Sequence, residues 1–139
     1  MPRRLPVLLV LALVLVTVPV GVGAAASPTL RLAIRHVVSG CHVWVTGGTV
    51  RGPSAKIVIQ RGTRVELRPS CPMDFDVVQL RGPALRLGPP RVHAGQTRFI
   101  TFTRRGSYTL RAKNVQSSAQ LGLQTLGPDN TLMLTVVVR

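Results

Sequence analysis

The chain has 139 residues, with 18 lysines and arginines against four acids, three histidines and two cysteines, and a formal net charge of +14. So few carboxylates and imidazoles leave little material for paired-carboxylate or nucleophilic catalysis, and the chain reads as not an enzyme. With one Trp, one Tyr and three Phe it also has too few rings to stack a run of bases, which argues against specific reading of nucleic acid.

Arg3 and Arg4 form a short positive start. An apolar run from Leu5 to Val22 follows, closing on Ala24-Ala25-Ala26, a small-residue site of the kind a signal peptidase accepts. Residues 1–26 are therefore expected to be a signal peptide and residues 27–139 a single exported domain, secreted or otherwise extracytoplasmic. The rival is an uncleaved membrane anchor, since about 18 apolar residues nearly span a bilayer. Pro19, Gly21 and Gly23 favour cleavage.

Beyond Ser27 no segment has helical periodicity. Short runs of Val, Ile, Leu and Thr alternate with Gly and Pro, the pattern of a sandwich or barrel. Leu30, Leu32 and Ile34 share one face of a first strand, with Arg31 and Arg35 on the other, and His36 continues the apolar face. Ser39-Gly40 interrupts it, and Val43 and Val45 resume around Trp44. Gly47-Gly48 and Gly52-Pro53 read as turns. A strand near Ala55–Gln60 is turned by Arg61-Gly62 into another where Val65 and Leu67 alternate with charged residues. Pro69–Asp74 is a loop, Asp76–Leu80 a strand, Ala84–Leu87 a short extended piece ended by Gly88-Pro89-Pro90. Gln96–Thr103 and Ser107–Ala112 are strands about an Arg104-Arg105-Gly106 turn. Asn114–Gly127 is a polar loop. In the last strand, Thr131–Arg139, Leu132, Leu134, Val136 and Val138 face inward. The expected fold is all-β, a Greek-key β-sandwich of seven to eight strands.

Two groups of residues could carry function. Cys41 and Cys71 are the only cysteines, and in an oxidising compartment a disulfide is the default. It would close a loop of about 30 residues, worth about 3 kcal/mol in the chain-entropy view. The competing reading makes one of them a thiolate metal ligand: His36, Cys41, His42, Met73 and His93 lie in loops or at strand ends that can converge at one pole, and imidazole, thiolate and thioether together suit copper. The plainer readings are a core or rim histidine for His36, a bridge for Cys41 with Cys71 and a loop plug for Met73. Asp74 and Asp76 read as turn formers. The positive charge suggests a partner such as an acidic protein, a cell-envelope polymer or a lipid headgroup; the plainer alternative is a solvated arginine-rich surface, since the arginines are scattered along every segment.

From Ile57 to Ala112 the chain resembles the cupredoxin family, the blue-copper β-sandwiches. The matching stretches are Gly62-Thr63-Arg64-Val65-Glu66-Leu67, Phe75-Asp76-Val77-Val78, Ala94-Gly95-Gln96-Thr97 with Phe99-Ile100-Thr101-Phe102, and Gly106-Ser107-Tyr108-Thr109-Leu110-Arg111-Ala112. Leu132–Val138 is similar to the family's closing strand, and Gly40-Cys41-His42 with His36 and Trp44 looks like a secreted actinobacterial branch. The resemblance implies copper binding for electron transfer or metal handling. The chain departs from it where type 1 ligands belong: Phe75 or a neighbour replaces a histidine, Ala112 stands in place of a cysteine, and no histidine and methionine follow between Lys113 and Gly127. The alternatives to copper are a metal-free sandwich serving as an interaction module, and basic adhesion to anionic envelope polymers.

Overall fold

The computed structural model describes residues 26–37, 42–115 and 131–139. Most of the apolar leader, the Ser39-Gly40 break and most of the Asn114–Gly127 loop lie outside these residues. Among the described residues no helix is long and apolar enough to cross a membrane.

Among the described residues ten strands form two sheets: β1 (Thr29–His36), β2 (His42–Thr46), β3 (Thr49–Gly52), β4 (Ser54–Ile59), β5 (Arg64–Pro69), β6 (Phe75–Arg81), β7 (Arg91–Val92), β8 (Arg98–Thr101), β9 (Gly106–Asn114) and β10 (Thr131–Val138). The first sheet runs β3-β2-β1-β5-β8 and the second β4-β10-β9-β6-β7. Pairing is antiparallel except for β1 with β5 and β4 with β10.

The expected all-β sandwich is present, with ten strands where seven or eight were expected. The two additions are short. β3 lies between the Gly47-Gly48 turn and Gly52-Pro53, a stretch whose glycines read as turns, and β7 is two residues behind Pro89-Pro90. Neither is long enough to show an alternating pattern, so only pairing with a neighbour reveals it. Conversely, Ala84–Leu87 joins no sheet, although Leu85 and Leu87 pack against the core.

Strict alternation builds the core. Leu32 and Ile34 from β1, Val65 and Leu67 from β5, Tyr108, Leu110 and Ala112 from β9, and Leu132, Leu134, Val136 and Val138 from β10 all turn into one apolar layer. Trp44, Tyr108, Phe75 and Phe102 are its largest members. Two of them carry a polar atom inward and both are satisfied: the Trp44 indole donates to the Met133 carbonyl of the facing sheet at 3.0 Å, and the Tyr108 hydroxyl donates to the Arg104 carbonyl at 2.7 Å. The intervening arginines of β1 and β5 (Arg31, Arg35, Arg64 and Arg68) face water.

One glycine is required by close approach. Gly82 ends β6 at φ +109°, and a Cβ there would stand 2.6 Å from the Ser107 carbonyl oxygen and 2.9 Å from the Tyr108 Cα. Gly82→Ala therefore adds both backbone strain and a collision with main chain that cannot swing away. It should lower stability by about 1–3 kcal/mol, read as a fall in the urea midpoint at unchanged slope.

Candidate functional site

One end of the sandwich gathers most of the expected metal-capable residues. β1 ends and β2 begins there, so that His36 pairs directly with His42 across the sheet. Their rings meet edge to face, with centroids 5.3 Å apart. His42 is almost fully buried, whereas His36 is exposed. The sequence continues the apolar face of Ile34 through His36, but His36 is the last residue of its strand, where the core layer ends, and it becomes a rim residue.

β5 brings the sulfur loop to the same end. Ser70 extends its parallel pairing with β1 by one step, donating both its N–H (2.9 Å) and its hydroxyl (3.1 Å) to the Ile34 carbonyl, which carries Cys71 up beside the end of β1. Cys71 is a buried free thiol, and burial pushes its pKa above the ordinary value, partly offset by hydrogen bonds from the backbone of Met73 and of Cys71 itself. Its expected bridge partner Cys41 lies outside the described residues, so the disulfide stays an expectation. Met73 is sealed in the core, and its thioether accepts a hydrogen bond from the Asn114 amide at 3.0 Å.

The opposite sheet closes this end with Phe75. Its ring meets that of His42 at 5.3 Å, edge to face, so an imidazole from one sheet packs on a phenyl from the other. In the β6–β9 register Phe75 pairs with Asn114 and Val77 with Ala112. Phe75 and Ala112 are both fully buried. The residues at these positions therefore do not fit a type 1 copper centre: a methyl group occupies the place of the sulfur ligand, and a phenyl ring the neighbourhood of the imidazole ligand.

His93 follows Val92, which pairs with Phe75, and so comes to the same end, but on its outer surface. Its side chain is exposed and its Nδ1 lies 2.8 Å from a carboxylate oxygen of Asp74. Asp74 also accepts the Ala94 N–H at 2.9 Å, and that backbone bond, more than the histidine, holds its carboxyl below the usual range. The pair ties the 93–96 turn to the loop before β6. Asp74 thus does more than turn the chain, a role invisible in the sequence because His93 is 19 residues away. Histidine, cysteine and carboxylate side chains alone form no metal-holding group of three among the described residues. Any soft site at this end has to include the Met73 thioether or Cys41.

Sequence reasoning missed Phe75 and Asn114 as partners of these donors. The only signal was Phe75 standing where the resemblance expects a histidine.

No protein-family model matches the chain, and no curated protein matches it. Solved structures do. The McoA multicopper oxidase of the hyperthermophile Aquifex aeolicus aligns over 80% of this chain and 26% of its own, at 11% identity and a TM-score of 0.48. Amicyanin from Paracoccus versutus aligns over 84% of each chain, at 14% identity and a TM-score of 0.41. A cysteine protease inhibitor from Entamoeba histolytica aligns over 84% of this chain and 100% of its own, at 10% identity and a TM-score of 0.42. The chain spans about a quarter of the oxidase it matches. At TM-scores below 0.5 these likenesses assign the chain to no family, and they say nothing for or against catalysis.

The packed state of this end has a direct measure. Phe75→Ala removes a fully buried ring that supports His42, and should cost about 3–5 kcal/mol of unfolding free energy in urea. A loss under 1 kcal/mol would mean that the ring does not fill the end of the core.

Proposed function

We propose that this is an extracytoplasmic, non-enzymatic cupredoxin-like domain that handles copper through a soft donor set at one end of the sandwich, in place of the family's usual ligands. His36, His42 and Met73, with the sulfur of Cys71, would hold the ion; Cys41, two residues before Val43, is the further donor within reach along the chain. The observation that carries this reading is the gathering of the His36–His42 pair, the Cys71–Met73 loop and Phe75 at one end, from both sheets and from three separate stretches of sequence. Imidazole, thioether and thiol together prefer cuprous copper over harder cations.

When bound, the ion would supply a one-electron couple or a transferable metal cargo. The protein's own residues supply the rest. Phe75 packs against His42 and fixes its ring plane. Asn114 orients the Met73 thioether. The apolar layer behind them keeps water from the buried side of the donors. The thiol of Cys71, whose pKa burial raises, would have to lose its proton to bind as a thiolate, so uptake through this sulfur would be coupled to proton release. Export is supported by the leader pattern of the sequence.

A second reading is favoured by Ala112 and Phe75: the sandwich has lost its metal and serves as a binding scaffold. One titration separates the two. The chain exported by its own host, reduced and kept anaerobic, competes with a chromophoric chelator for Cu(I). The copper reading expects one Cu(I) retained per chain, weakened at least tenfold by His42→Ala and by the near-isosteric Met73→Leu, with β-sheet circular dichroism unchanged in the latter. A folded wild-type chain that takes up no Cu(I) leaves the scaffold reading standing.

A further inference from the structure

We propose that the open edge of β8 is a docking slot for an extended acidic segment of a partner protein, which joins the first sheet as an added strand. Among the described residues β8 ends the sheet order and pairs only with β5. The direction of its backbone groups follows from two bonds just beyond it. Phe102 donates its N–H to Thr63 O at 3.1 Å and accepts Gly62 N–H at 2.7 Å, so its polar groups face β5. Arg64, opposite Thr101, turns its own N–H the other way, to Pro28 O at 2.9 Å. Because antiparallel neighbours alternate, Arg98, Ile100 and Phe102 face β5, while the main-chain N–H and C=O groups of Phe99 and Thr101 point out of the sheet.

Those outward groups open into a groove of about 630 Å³ lined by Phe99, Thr101 and Thr103 on one side and by Leu85 and Arg86 on the other, with Arg104 at its end. The far wall is held in place by one side chain. Gln79 donates to the carbonyls of Pro83 (2.8 Å) and Arg81 (3.1 Å), and its Oε1 accepts the Leu85 N–H at 3.1 Å. An unpaired strand edge beside a braced wall is the arrangement into which an extended peptide adds, its main chain binding the edge and its side chains the pockets. Natural sheets usually cover or blunt such edges. This one shows the ring of Phe99, 48% exposed, with the Arg64 guanidinium 3.7 Å above its face.

Charge selects the occupant. Arg86 and Arg104 are exposed and make no ion pair among the described residues, and no acid lines the groove. Glu66, opposite Phe99 on β5, is taken by Arg31 at 3.6 Å. The fitting segment has an apolar side chain to lie against Phe99 and Leu85, flanked by carboxylates for Arg86 and Arg104. A second copy of this chain fits poorly, since it would set the same arginines against each other in a protein of net charge +14. The slot lies near the start of β9, away from the histidine end, and is independent of any metal there.

The test uses the full exported chain and a fluorescent ten-residue peptide alternating glutamate and valine, with a control N-methylated at every second amide. The control keeps the charge and cannot pair as a strand. At physiological salt the unmodified peptide should bind and slow hydrogen exchange of the Phe99 and Thr101 amides. The methylated peptide, the Arg86→Glu/Arg104→Glu double variant and Thr101→Pro should each weaken binding at least tenfold. Thr101→Pro removes an N–H the folded domain does not use, so the fold should survive it. Equal affinity for the two peptides would reduce the surface to plain charge attraction and overturn the proposal. So would no binding of the unmodified peptide, or protection of Phe99 and Thr101 without peptide that rises with protein concentration, the mark of self-pairing.

Discussion

Everything in this small domain depends on two sheets pressing one apolar layer between them, with Trp44, Phe75, Phe102 and Tyr108 as its largest pieces. A strand buries every second side chain, and burial of a large apolar side chain is worth about 1.5–3 kcal/mol, so a register slip of one residue would carry arginines inward and the core outward. That penalty sets the faces of β1, β5, β9 and β10. It also dictates where polar atoms can enter the layer. The Trp44 indole and the Tyr108 hydroxyl do so only because each meets a carbonyl, the first across the two sheets.

The same packing shapes the histidine end. In a sandwich the ends of the layer are where loops from both sheets meet, and there side chains can converge that lie far apart in sequence. Here the second sheet contributes a phenyl ring and a methyl group, Phe75 and Ala112, and the first sheet contributes the imidazoles. The imidazoles and the sulfurs of Cys71 and Met73 thus lie on β1, β2 and the loop before β6, and not at the positions the resemblance implies. Burial makes the Cys71 thiol reluctant to ionise and makes Met73 a packed core residue that also carries a soft ligand atom.

Charge is partitioned by the same alternation. The described acids are all engaged, Glu66 with Arg31, Asp76 with Arg91 and Asp74 with His93. Most of the positive surface is left over, and exposed pairs of this kind add little stability. Its consequence lies in what approaches the protein. Arginines spread along every segment look like general decoration in the sequence, yet the fold sets Arg86 and Arg104 on one groove beside the outer edge of β8.

The sequence by itself determined the class of fold, most of the strands and the inward faces, because period-two alternation and glycine or proline punctuation are local consequences of strand geometry. It also marked Ala112 and Phe75 as departures from a blue-copper pattern. It could not reveal β3 or β7, which are too short to alternate and exist only through their neighbours. Nor could it separate His93 from the other donors: whether a loop residue points into the core or over its rim depends on contacts such as the Asp74–His93 pair, 19 residues apart. The His42–Phe75 contact and the groove between Leu85 and Phe99 join different sheets or segments. Such proximities are decided by long-range packing, which no local pattern encodes.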